Sequence, residues 1–469
     1  MESKNLSRRD VLRISAGAAG AGLLAACVAP GTEMAGGGAA VPREQRVGVM
    51  WGLQYDPHVE AYQRLSDLFA EQGGGTFEVQ PQAWPIPPKV IAGLAAGTQP
   101  DVACIMGEQL TSLHLHQALV PCTEQVYNHM DVDPGEDFVG DAIGAYMWQG
   151  EIWGVPTECN GVGNMVNVPS EDVIALGLED QYPPLNGDIY FESYESMWEL
   201  GKALQVEEDG KVTRWGLSSQ GWDDMSYLGI LRTLLNPKGM DWWDLENKQF
   251  NINTEEGMEA MRLFVEGPVE LGIETQLDQN HVDAALAGKI ALARGNGTPS
   301  MPIAWDLGYT YRMAGAPMIH EGEAPMFCGE GGWGFISLKQ AQNPDMAIEF
   351  LRMLVTDEGQ TSYAMIYGGQ PNTAWKGLVG SYDHFVNNDP DGPLVKLTQV
   401  LQEHLLPQTT FEGVGFGSIG EIGAAIGEGC SEVRQGNIGS EEAVAMIQSR
   451  CVAQYEEWVS DVRELGMEP

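Results

Sequence analysis

Short apolar segments alternate, in the first part of the chain, with segments in which apolar residues recur at every third or fourth position. The short segments predict β-strands at residues 46–53, 77–81 and 101–106. The periodic segments predict helices at residues 56–72 and 90–97. Strands that alternate with helices favour an α/β architecture with a parallel sheet, whose ligand crevice lies at the carboxyl ends of the strands.

Helical periodicity also marks later parts of the chain. Asn343 is predicted to cap a helix that opens with Pro344 and has Gly359 at its end. Near the C-terminus, two successive helices each have one apolar face, and these faces are predicted to pack together. The residues on the two faces are Ile419, Ile422, Ile426, Cys430 and Val433, and Val444, Ile447, Cys451, Tyr455, Trp458 and Val462.

The N-terminal residues have the pattern of an export signal rather than of a folded segment. Residues 7–13, SRRDVLR, resemble the twin-arginine export motif. The apolar stretch at 14–26 is rich in Gly and Ala and is shorter than the ~20 residues that a membrane-spanning helix needs. Residues 24–27, LAAC, resemble a bacterial lipobox, which predicts cleavage before Cys27 and lipid on that cysteine. The alternative is a small-residue cleavage site that happens to end near a cysteine.

The segment after the signal is predicted to be a flexible tether. Residues 28–44 contain mainly Gly, Ala and Pro, with almost no bulky side chain. No later segment approaches the ~18 consecutive apolar residues of a membrane span. We therefore expect an exported protein that its lipid alone holds on the outer face of the cytoplasmic membrane, in a periplasm or at the cell surface.

The chain is strongly acidic, with 66 Asp and Glu against 25 Lys and Arg and a net charge of −41 over 469 residues. Nucleic-acid affinity comes largely from Lys and Arg that neutralise phosphates, so this charge argues against binding to DNA or RNA. It favours a neutral ligand first, a cationic ligand second, and a phosphate or sulfate ester last.

The sequence has no motif of the common enzyme classes. It contains no H-E-x-x-H, no G-x-S-x-G and no Walker loop. Residues 415–420 fit G-x-G-x-x-G, but no βαβ unit precedes them, so we interpret them as a flexible lead into a helix. No C-x-x-C occurs, which argues against a zinc ribbon or a thioredoxin-like centre. We expect no catalytic residue, no metal and no cofactor.

Export changes how the six cysteines after the lipobox are interpreted, because thiols in an oxidising compartment tend to pair. Six cysteines allow many connectivities, which spacing narrows but does not decide. The candidate pairs are Cys104 with Cys122, Cys430 with Cys451 and, by elimination, Cys159 with Cys328. For each cysteine the alternative is a buried thiol that behaves as a small hydrophobic residue.

Five short segments, in this order, resemble the signatures of one protein family. They are AAGTQPDV at 95–102, GEIWGVP at 150–156, GNMVN at 163–167, LAGKIAL at 286–292 and GGWGFIS at 331–337. Together with the lipobox-like segment that precedes them, they resemble the extracellular solute-binding proteins of ABC importers. The resemblance is to the branch that includes maltodextrin- and other sugar-binding proteins. The resemblance covers about residues 45–465, nearly the whole mature chain.

The resemblance implies two α/β lobes, joined by two or three crossovers, that close on a ligand like a hinged trap. Cys159 and Cys328 both fall at crossovers, so a disulfide between them would join the hinge. The implied function is the capture of a carbohydrate, an oligosaccharide, by a monomer that delivers it to an ABC permease without chemistry. The expected boundaries are 45–157 plus 326–368 for lobe one, and 160–323 plus 372–469 for lobe two.

Sugar recognition needs flat apolar rings for the pyranoside faces and polar groups for the hydroxyls. The Trp candidates follow predicted strands or lie in a crossover, and for each the alternative is a core residue. The resemblance implies that the residues after the GVP segment and those after LAGKIAL line the ligand cleft. Glu108 is a further candidate because it follows the strand that begins at PDV. The candidate ligand-binding residues are Trp51, Trp84, Glu108, Thr157, Glu158, Asn160, Trp222, Gly295, Asn296 and Trp333.

Three rival functions stay open at this point. The solute could be a polyamine or a peptide rather than a sugar. A secreted glycoside hydrolase would need two carboxylates placed by the fold, and Glu108 with Glu158 is one candidate pair. An adhesin or a sensor domain that reports to a membrane receptor would share the fold and differ only in its partner.

Overall fold

In the computed structural model, the described part of the chain comprises residues 42–139, 142–159, 165–181, 191–221, 223–244, 246–279, 281–294, 311–315, 317–320, 326–328, 332–366, 373–385, 395, 398–399, 402, 409–410, 419–464 and 466. The strands are β1 (Val47–Leu53), β2 (Thr76–Gln82), β3 (Val102–Met106), β4 (Met147–Trp148), β5 (Glu151–Ile152), β6 (Val155–Pro156), β7 (Met165–Pro169), β8 (Val206–Glu208), β9 (Lys211–Ser218), β10 (Trp243–Asp244), β11 (Gln249–Phe250), β12 (Ile290–Arg294), β13 (Tyr311–Gly315), β14 (Phe327–Cys328), β15 (Trp333–Ser337) and β16 (Thr409–Thr410).

The α-helices are α1 (Asp56–Glu71), α2 (Pro87–Ala96), α3 (Leu110–Leu115), α4 (Asn128–Met130), α5 (Pro134–Asp137), α6 (Ser170–Ala175), α7 (Tyr194–Leu204), α8 (Asp223–Leu235), α9 (Glu255–Met261), α10 (Gly267–Glu270), α11 (His281–Leu286), α12 (Pro344–Leu354), α13 (Asp357–Ala364), α14 (Ile419–Arg434) and α15 (Ser440–Glu464). A π-helical turn, Arg262–Glu266, joins α9 to α10 without a break. A 3₁₀ turn, Gly107–Gln109, follows β3.

The first lobe is built on a five-stranded sheet with the order β2-β1-β3-β15-β6. β1 is parallel to β2 and to β3, whereas β15 is antiparallel to β3 and to β6. These directions bring the carboxyl ends of β1, β2, β3 and β6 to the same side as the amino end of β15. We call this side the lobe-one edge.

The second lobe is built on a sheet with the order β13-β7-β12-β9-β8. β12 is parallel to β9 and antiparallel to β7, so the carboxyl ends of β9 and β12 lie beside the amino end of β7. We call this side the lobe-two edge. The chain leaves the lobe-one edge at Pro156 and enters the lobe-two edge at Met165, a connection that spans at most roughly 30 Å. The two edges therefore face a common cleft.

Each lobe has its own buried core. The first core draws on residues from Met50 to Cys159 and from Trp333 to Leu378. The second draws on residues from Val166 to Leu292 and from Ile422 to Val462. The lobes touch where Leu115 packs on the second core and where the 3₁₀ turn after β3 contacts α14. The two-lobe α/β fold is confirmed, and each lobe combines segments that are distant in sequence.

The predicted strands and helices of the first lobe agree with the structure to within three residues. α2 starts at Pro87, earlier than the apolar periodicity indicated, because a proline is well accommodated in the first turn. The composition of the first turn, Asp56 followed by Pro57, predicts Asp56 as the cap of α1, and the structure places the cap one residue earlier. Asp56 is the first helical residue, and Tyr55 precedes it without a side-chain capping bond.

The helix at Pro344 is confirmed, but its two ends differ from the prediction. The Asn343 side chain does not cap α12; its amide donates to the Val47 carbonyl and to the Asp101 carboxylate, both at 3.2 Å. α12 ends at Leu354. Gly359 lies inside α13, where its N–H donates to the capping Thr356 hydroxyl at 3.1 Å.

The body of the protein begins slightly earlier than the sequence indicated. Residues Arg43–Gln45 form a 3₁₀ turn. The guanidinium groups of Arg43 and Arg46 both bind one carboxylate oxygen of Glu349 in α12. These ion pairs attach the start of the described chain to the first lobe.

The terminal helices pack as predicted, but their cysteines do not form the expected bridge. Cys430 of α14 and Cys451 of α15 are fully buried in the second core and are free thiols. Burial raises the pKa of Cys451 to about 12 and also raises that of Cys430. Both therefore stay protonated and behave as small hydrophobic residues, which was the alternative interpretation.

The expected Cys104–Cys122 bridge is also absent, because the two thiols face different neighbours. The Cys104 thiol interacts with Tyr62 of α1, and this interaction opposes the rise that burial causes in the pKa of Cys104. The Cys122 sulfur lies 3.7 Å from the Val120 carbonyl oxygen. Both are buried free thiols. Cys159 is buried as well, and the Cys328 side chain lies outside the described part of the chain, so that pairing stays a prediction.

Candidate functional site

Two tryptophans form an aromatic pair at the lobe-one edge. Trp84 follows β2 and Trp333 is the first residue of β15, rather than part of a crossover as predicted. Their ring centroids are 6.1 Å apart with an interplanar angle of 75°. Trp333 is only 9% exposed, whereas Trp84 is 51% exposed. An exposed aromatic ring supported by a buried one is a suitable platform for an apolar ligand face.

The backbone around Trp333 is held by the segment that follows β6. The Trp333 carbonyl accepts bonds from the Thr157 N–H at 2.8 Å, the Thr157 hydroxyl at 3.0 Å and the Glu158 N–H at 3.0 Å. Gly332 has a φ of +69°, and a Cβ there would lie 2.5 Å from the Glu158 carbonyl oxygen. Only glycine therefore fits where these two chain segments meet.

The Glu158 carboxylate lies beside this pair. The Tyr363 hydroxyl, from α13, donates to Glu158 Oε1 at 3.0 Å. Burial, and then the nearby Glu158 charge, raise the pKa of Tyr363 well above its usual value, so its hydroxyl keeps its proton and acts as a donor. Glu158 also forms an isolated β-bridge with Thr373, directly before residues of the first core.

His58, in the first turn of α1, is a site residue that sequence reasoning missed. Its ring lies 5.2 Å from the Trp333 ring and 6.5 Å from the Tyr363 ring. Its Nδ1 is 3.3 Å from the Tyr62 hydroxyl. Burial lowers the pKa of His58 to about 4, so the ring is neutral at pH 7. The sequence did contain a signal for this residue. His58 comes shortly after the first predicted strand and lies one helical turn before Tyr62, a residue of the predicted apolar face.

Trp51 is the one described tryptophan candidate that the structure moves away from the cleft. Its indole N–H donates to the Gln80 side chain at 3.0 Å, and its ring lies next to Gly93 of α2. The Tyr62 side chain lies by Gly52, on the opposite face of β1. Successive residues of a strand point to opposite faces, so Trp51 fills the core under α2 rather than joining Trp84 and Trp333.

The lobe-two edge contains a buried charge network. Arg434, the last residue of α14, donates to Glu274 Oε1 and to Ser219 Oγ, both at 2.9 Å, and also binds Asp223. The Ser219 N–H and hydroxyl donate to the same Glu274 oxygen at 3.1 and 2.6 Å. Burial raises the pKa of Glu274, and the Arg434 charge opposes this shift. The loop after β9 is thereby fixed to α14.

A second contact fixes the same loop on its other side. The Gln220 side chain accepts from the Leu277 N–H at 2.9 Å and donates to the Leu277 carbonyl at 3.2 Å. These bonds fix the described end of the loop at Gln220.

Several candidates lie outside the described residues, so their roles stay predictions. The Glu108 backbone is in the 3₁₀ turn after β3, but its side chain is not described. The others are Cys27, Asn160, Trp222, Gly295 and Asn296. Among the described residues, no group of three His, Cys, Asp or Glu side chains could hold a metal ion. Within that same part of the chain, no helix is long and apolar enough to cross a membrane.

Two lobes whose sheet edges have aromatic side chains on one lobe and charged side chains on the other are the architecture of a binding protein. A family model for bacterial extracellular solute-binding proteins matches residues 64–375, well over half of the chain. The chain therefore belongs to the bacterial extracellular solute-binding protein family. This is a family of binding proteins rather than of enzymes. Comparison with curated protein sequences finds no match.

Solved structures of sugar-binding proteins share the fold. The maltose/maltodextrin-binding domain from Bdellovibrio bacteriovorus, bound to maltotriose, has a TM-score of 0.66 at 16% identity, over 88% of this chain and 100% of that chain. An ABC substrate-binding protein from Listeria monocytogenes, in complex with cycloalternan, has a TM-score of 0.65 at 14% identity, over 90% and 100%. A solute-binding protein from Thermotoga lettingae, bound with α-D-tagatose, has a TM-score of 0.65 at 17% identity, over 86% and 98%.

Proposed function

We propose that the protein captures a carbohydrate, in particular an oligosaccharide, outside the cell and delivers it to an ABC permease. The observation that carries this proposal is the Trp84–Trp333 pair at the lobe-one edge, since one exposed ring on a buried ring suits the C–H face of a pyranoside. The sugars bound by the structurally similar proteins support the same ligand class.

Binding is proposed to act through closure of the lobes. A ligand favours the closed form because only there does it contact both edges. The bonds between Trp333, Thr157 and Glu158 form at the base of two chain segments that run between the lobes. Rotation about this fixed base would change the distance between the edges while each core stays intact.

The cellular setting is part of the proposal. We infer that the protein is exported through its twin-arginine signal, carries lipid on Cys27 and acts as a monomer at the outer face of the cytoplasmic membrane. A Cys159–Cys328 disulfide would join the hinge and slow closure without adding core stability. The expected consequence is that reductant changes the rate of closure more than the melting temperature.

Isothermal titration calorimetry of the mature protein tests the ligand class. The panel contains glucose, maltotriose, a β-linked trisaccharide, an acidic trisaccharide, spermidine and short peptides, with a chromogenic glycoside to detect turnover. We expect binding of at least one oligosaccharide and no turnover. Binding confined to spermidine or peptides, or release of the chromophore, would refute the carbohydrate-transport function.

A further inference from the structure

The described part of the chain contains three buried arginines, and two of them have carboxylate partners. Arg232 binds Asp241 through its Nε at 3.1 Å and its Nη2 at 2.6 Å. Arg434 binds Asp223 and Glu274. These pairs follow the general rule that a buried charge requires a partner, because an unpaired charge is costly to remove from water.

The third, Arg294, departs from this rule. It is 3% exposed, and no carboxylate among the described residues forms an ion pair with it. Its Nε is buried with no hydrogen-bond partner in that part of the chain. The guanidinium interacts with the neighbouring Tyr194 side chain, and this interaction opposes the rise that burial causes in the pKa of Tyr194. The Arg294 guanidinium instead stacks on aromatic rings, 5.2 Å from the Phe264 centroid and 5.5 Å from that of Tyr194.

Arg294 lies at the lobe-two edge. It is the last residue of β12, paired in register with Val166 at the start of β7, directly beside the point where the chain arrives from lobe one. Its neighbour along the same face, Leu292, packs near Gly201 of α7. Tyr194 is the first residue of α7. The guanidinium therefore occupies the cleft end of the layer between the sheet and α7.

A cation in this position would gain a partner when an anionic group enters the cleft. The guanidinium is permanently charged, and its planar fork matches a carboxylate or phosphate with two parallel bonds. Phe264 also contacts the guanidinium of Arg434 at 5.7 Å, so the network around Arg434 supports the ring on which Arg294 stacks. The arginine is held in place before a ligand arrives.

We propose that Arg294 is an anion-recognition residue of lobe two and that the captured carbohydrate is acidic, with a uronate carboxylate that binds this guanidinium. This inference rests on the proposed function and names the class of sugar. An acidic sugar differs from the neutral ligand that the net charge of the chain led us to expect. The net charge acts at long range and is screened beyond ~8–10 Å at physiological salt, whereas a buried partner acts at contact distance.

A carboxylate is the preferred anion because it has one negative charge and a planar shape. A sugar phosphate offers the same fork of oxygens with more charge, which the net charge of −41 would oppose. Both sources share the chemistry that Arg294 recognises, so the experiment must separate them.

Calorimetry on the intact mature protein tests the proposal from the ligand side. The probes are trigalacturonate, its methyl ester, maltotriose and glucose 6-phosphate. We expect trigalacturonate to bind roughly 10- to 100-fold more tightly than its methyl ester, the range for a lost charged hydrogen bond. Equal affinity for the acid and the ester would overturn the proposal. Tighter binding of glucose 6-phosphate than of trigalacturonate would overturn the assignment to a uronate.

Variants test the same contact from the protein side. Arg294→Met should abolish the preference for the acid over the ester, and Arg294→Lys should retain part of it. Arg262→Met is the matched control, because Arg262 also stacks on an aromatic ring of this lobe, that of Trp198, but is 39% exposed. An unchanged preference in Arg294→Met would overturn the proposal.

The outcomes separate this inference from the function on which it rests. Binding of maltotriose with no preference for acids would leave the carbohydrate function intact and reject the role of Arg294. Absence of binding to every sugar would reject both. Circular dichroism and the melting temperature of each variant establish that it is folded, and the acid-to-ester comparison on the wild-type protein holds even if Arg294→Met does not fold.

Discussion

The two edges that face the cleft are built from different kinds of side chain. The lobe-one edge is aromatic, with Trp84, Trp333, His58 and Tyr363 around a single described carboxylate, that of Glu158. The lobe-two edge is ionic in its described residues, with the buried guanidinium of Arg434 between the carboxylates of Asp223 and Glu274. The difference indicates a division of roles, in which one lobe offers flat apolar surface and the other offers fixed charges and dipoles.

The edges also differ in how their geometry is maintained. At the lobe-one edge, backbone hydrogen bonds to the Trp333 carbonyl and ring contacts hold the residues in place. At the lobe-two edge, one arginine connects the loop after β9 with Glu274. Removing one charge should therefore disturb the second edge more than removing one ring disturbs the first.

The largest expected effect is that of Arg434→Met. Loss of this guanidinium leaves Asp223 and Glu274 without their cation inside the second core, which should lower the free energy of unfolding by about 3–5 kcal/mol. Urea unfolding followed by tryptophan fluorescence measures the change. A loss under about 1 kcal/mol, the range of exposed ion pairs, would show that the network does not maintain the lobe-two edge.

Acid should weaken lobe one through His58. Its pKa is about 4 in the folded protein, below the ordinary value of 6.5, so the unfolded state binds more protons between these values. Stability should fall by about 3 kcal/mol as pH decreases from 6.5 to 4. In His58→Gln, the free energy of unfolding should not show this part of the pH dependence. Identical slopes in the variant and the wild type, measured by urea unfolding at several pH values, would contradict a buried neutral histidine.

The tryptophan pair should affect ligand binding more than the fold. Trp84→Ala should weaken sugar binding by about 1–3 kcal/mol with little change in melting temperature, because the ring is half-exposed. Trp333→Ala should weaken both binding and stability, because that ring is buried. Ile174→Ala, at an exposed apolar side chain of lobe two, is the control. Unchanged calorimetric affinity in both tryptophan variants would place the ligand elsewhere.

The smallest effect should come from an exposed ion pair in lobe two. Arg450 of α15 binds Glu428 of α14, and the two side chains are 46% and 45% exposed. Arg450→Met should therefore cost only about 0.2–1 kcal/mol and lose even that at high salt. A cost comparable to that of Arg434→Met would mean that burial is not what distinguishes the lobe-two network.

Sequence reasoning succeeded where the signal was local. The strands β1 to β3, the proline-led helix α12 and the apolar faces of α14 and α15 follow from periodicity within a few turns of chain. Trp84 was a candidate because it follows a predicted strand, Trp333 because it was expected in a crossover, and Thr157 and Glu158 because of the family resemblance. The structure brings Trp333 into contact with the other three. Sequence reasoning also expected Trp51 at the ligand cleft. The structure does not place it there, because residues alternate between the two faces of β1 and the Trp51 ring lies on the face that packs against α2.

Other features could not be read from local pattern. Nothing near Arg434 in the sequence indicates that it binds Asp223, more than two hundred positions away. The spacing of Cys430 and Cys451 suggested a bridge, yet burial keeps both thiols protonated. Arg294 ends an ordinary apolar strand, and only the three-dimensional structure shows that no carboxylate of the described residues forms an ion pair with it.

The sequence by itself determined the acidic composition, the order of strands and helices, and the family to which the chain belongs. These properties depend on composition and on contacts between near neighbours, whose physics does not require the rest of the chain. Only the tertiary structure decided which side chains meet at the cleft and which stay in the core. Those outcomes depend on packing between distant segments, where direction of approach and burial set both the contacts and the charges that persist.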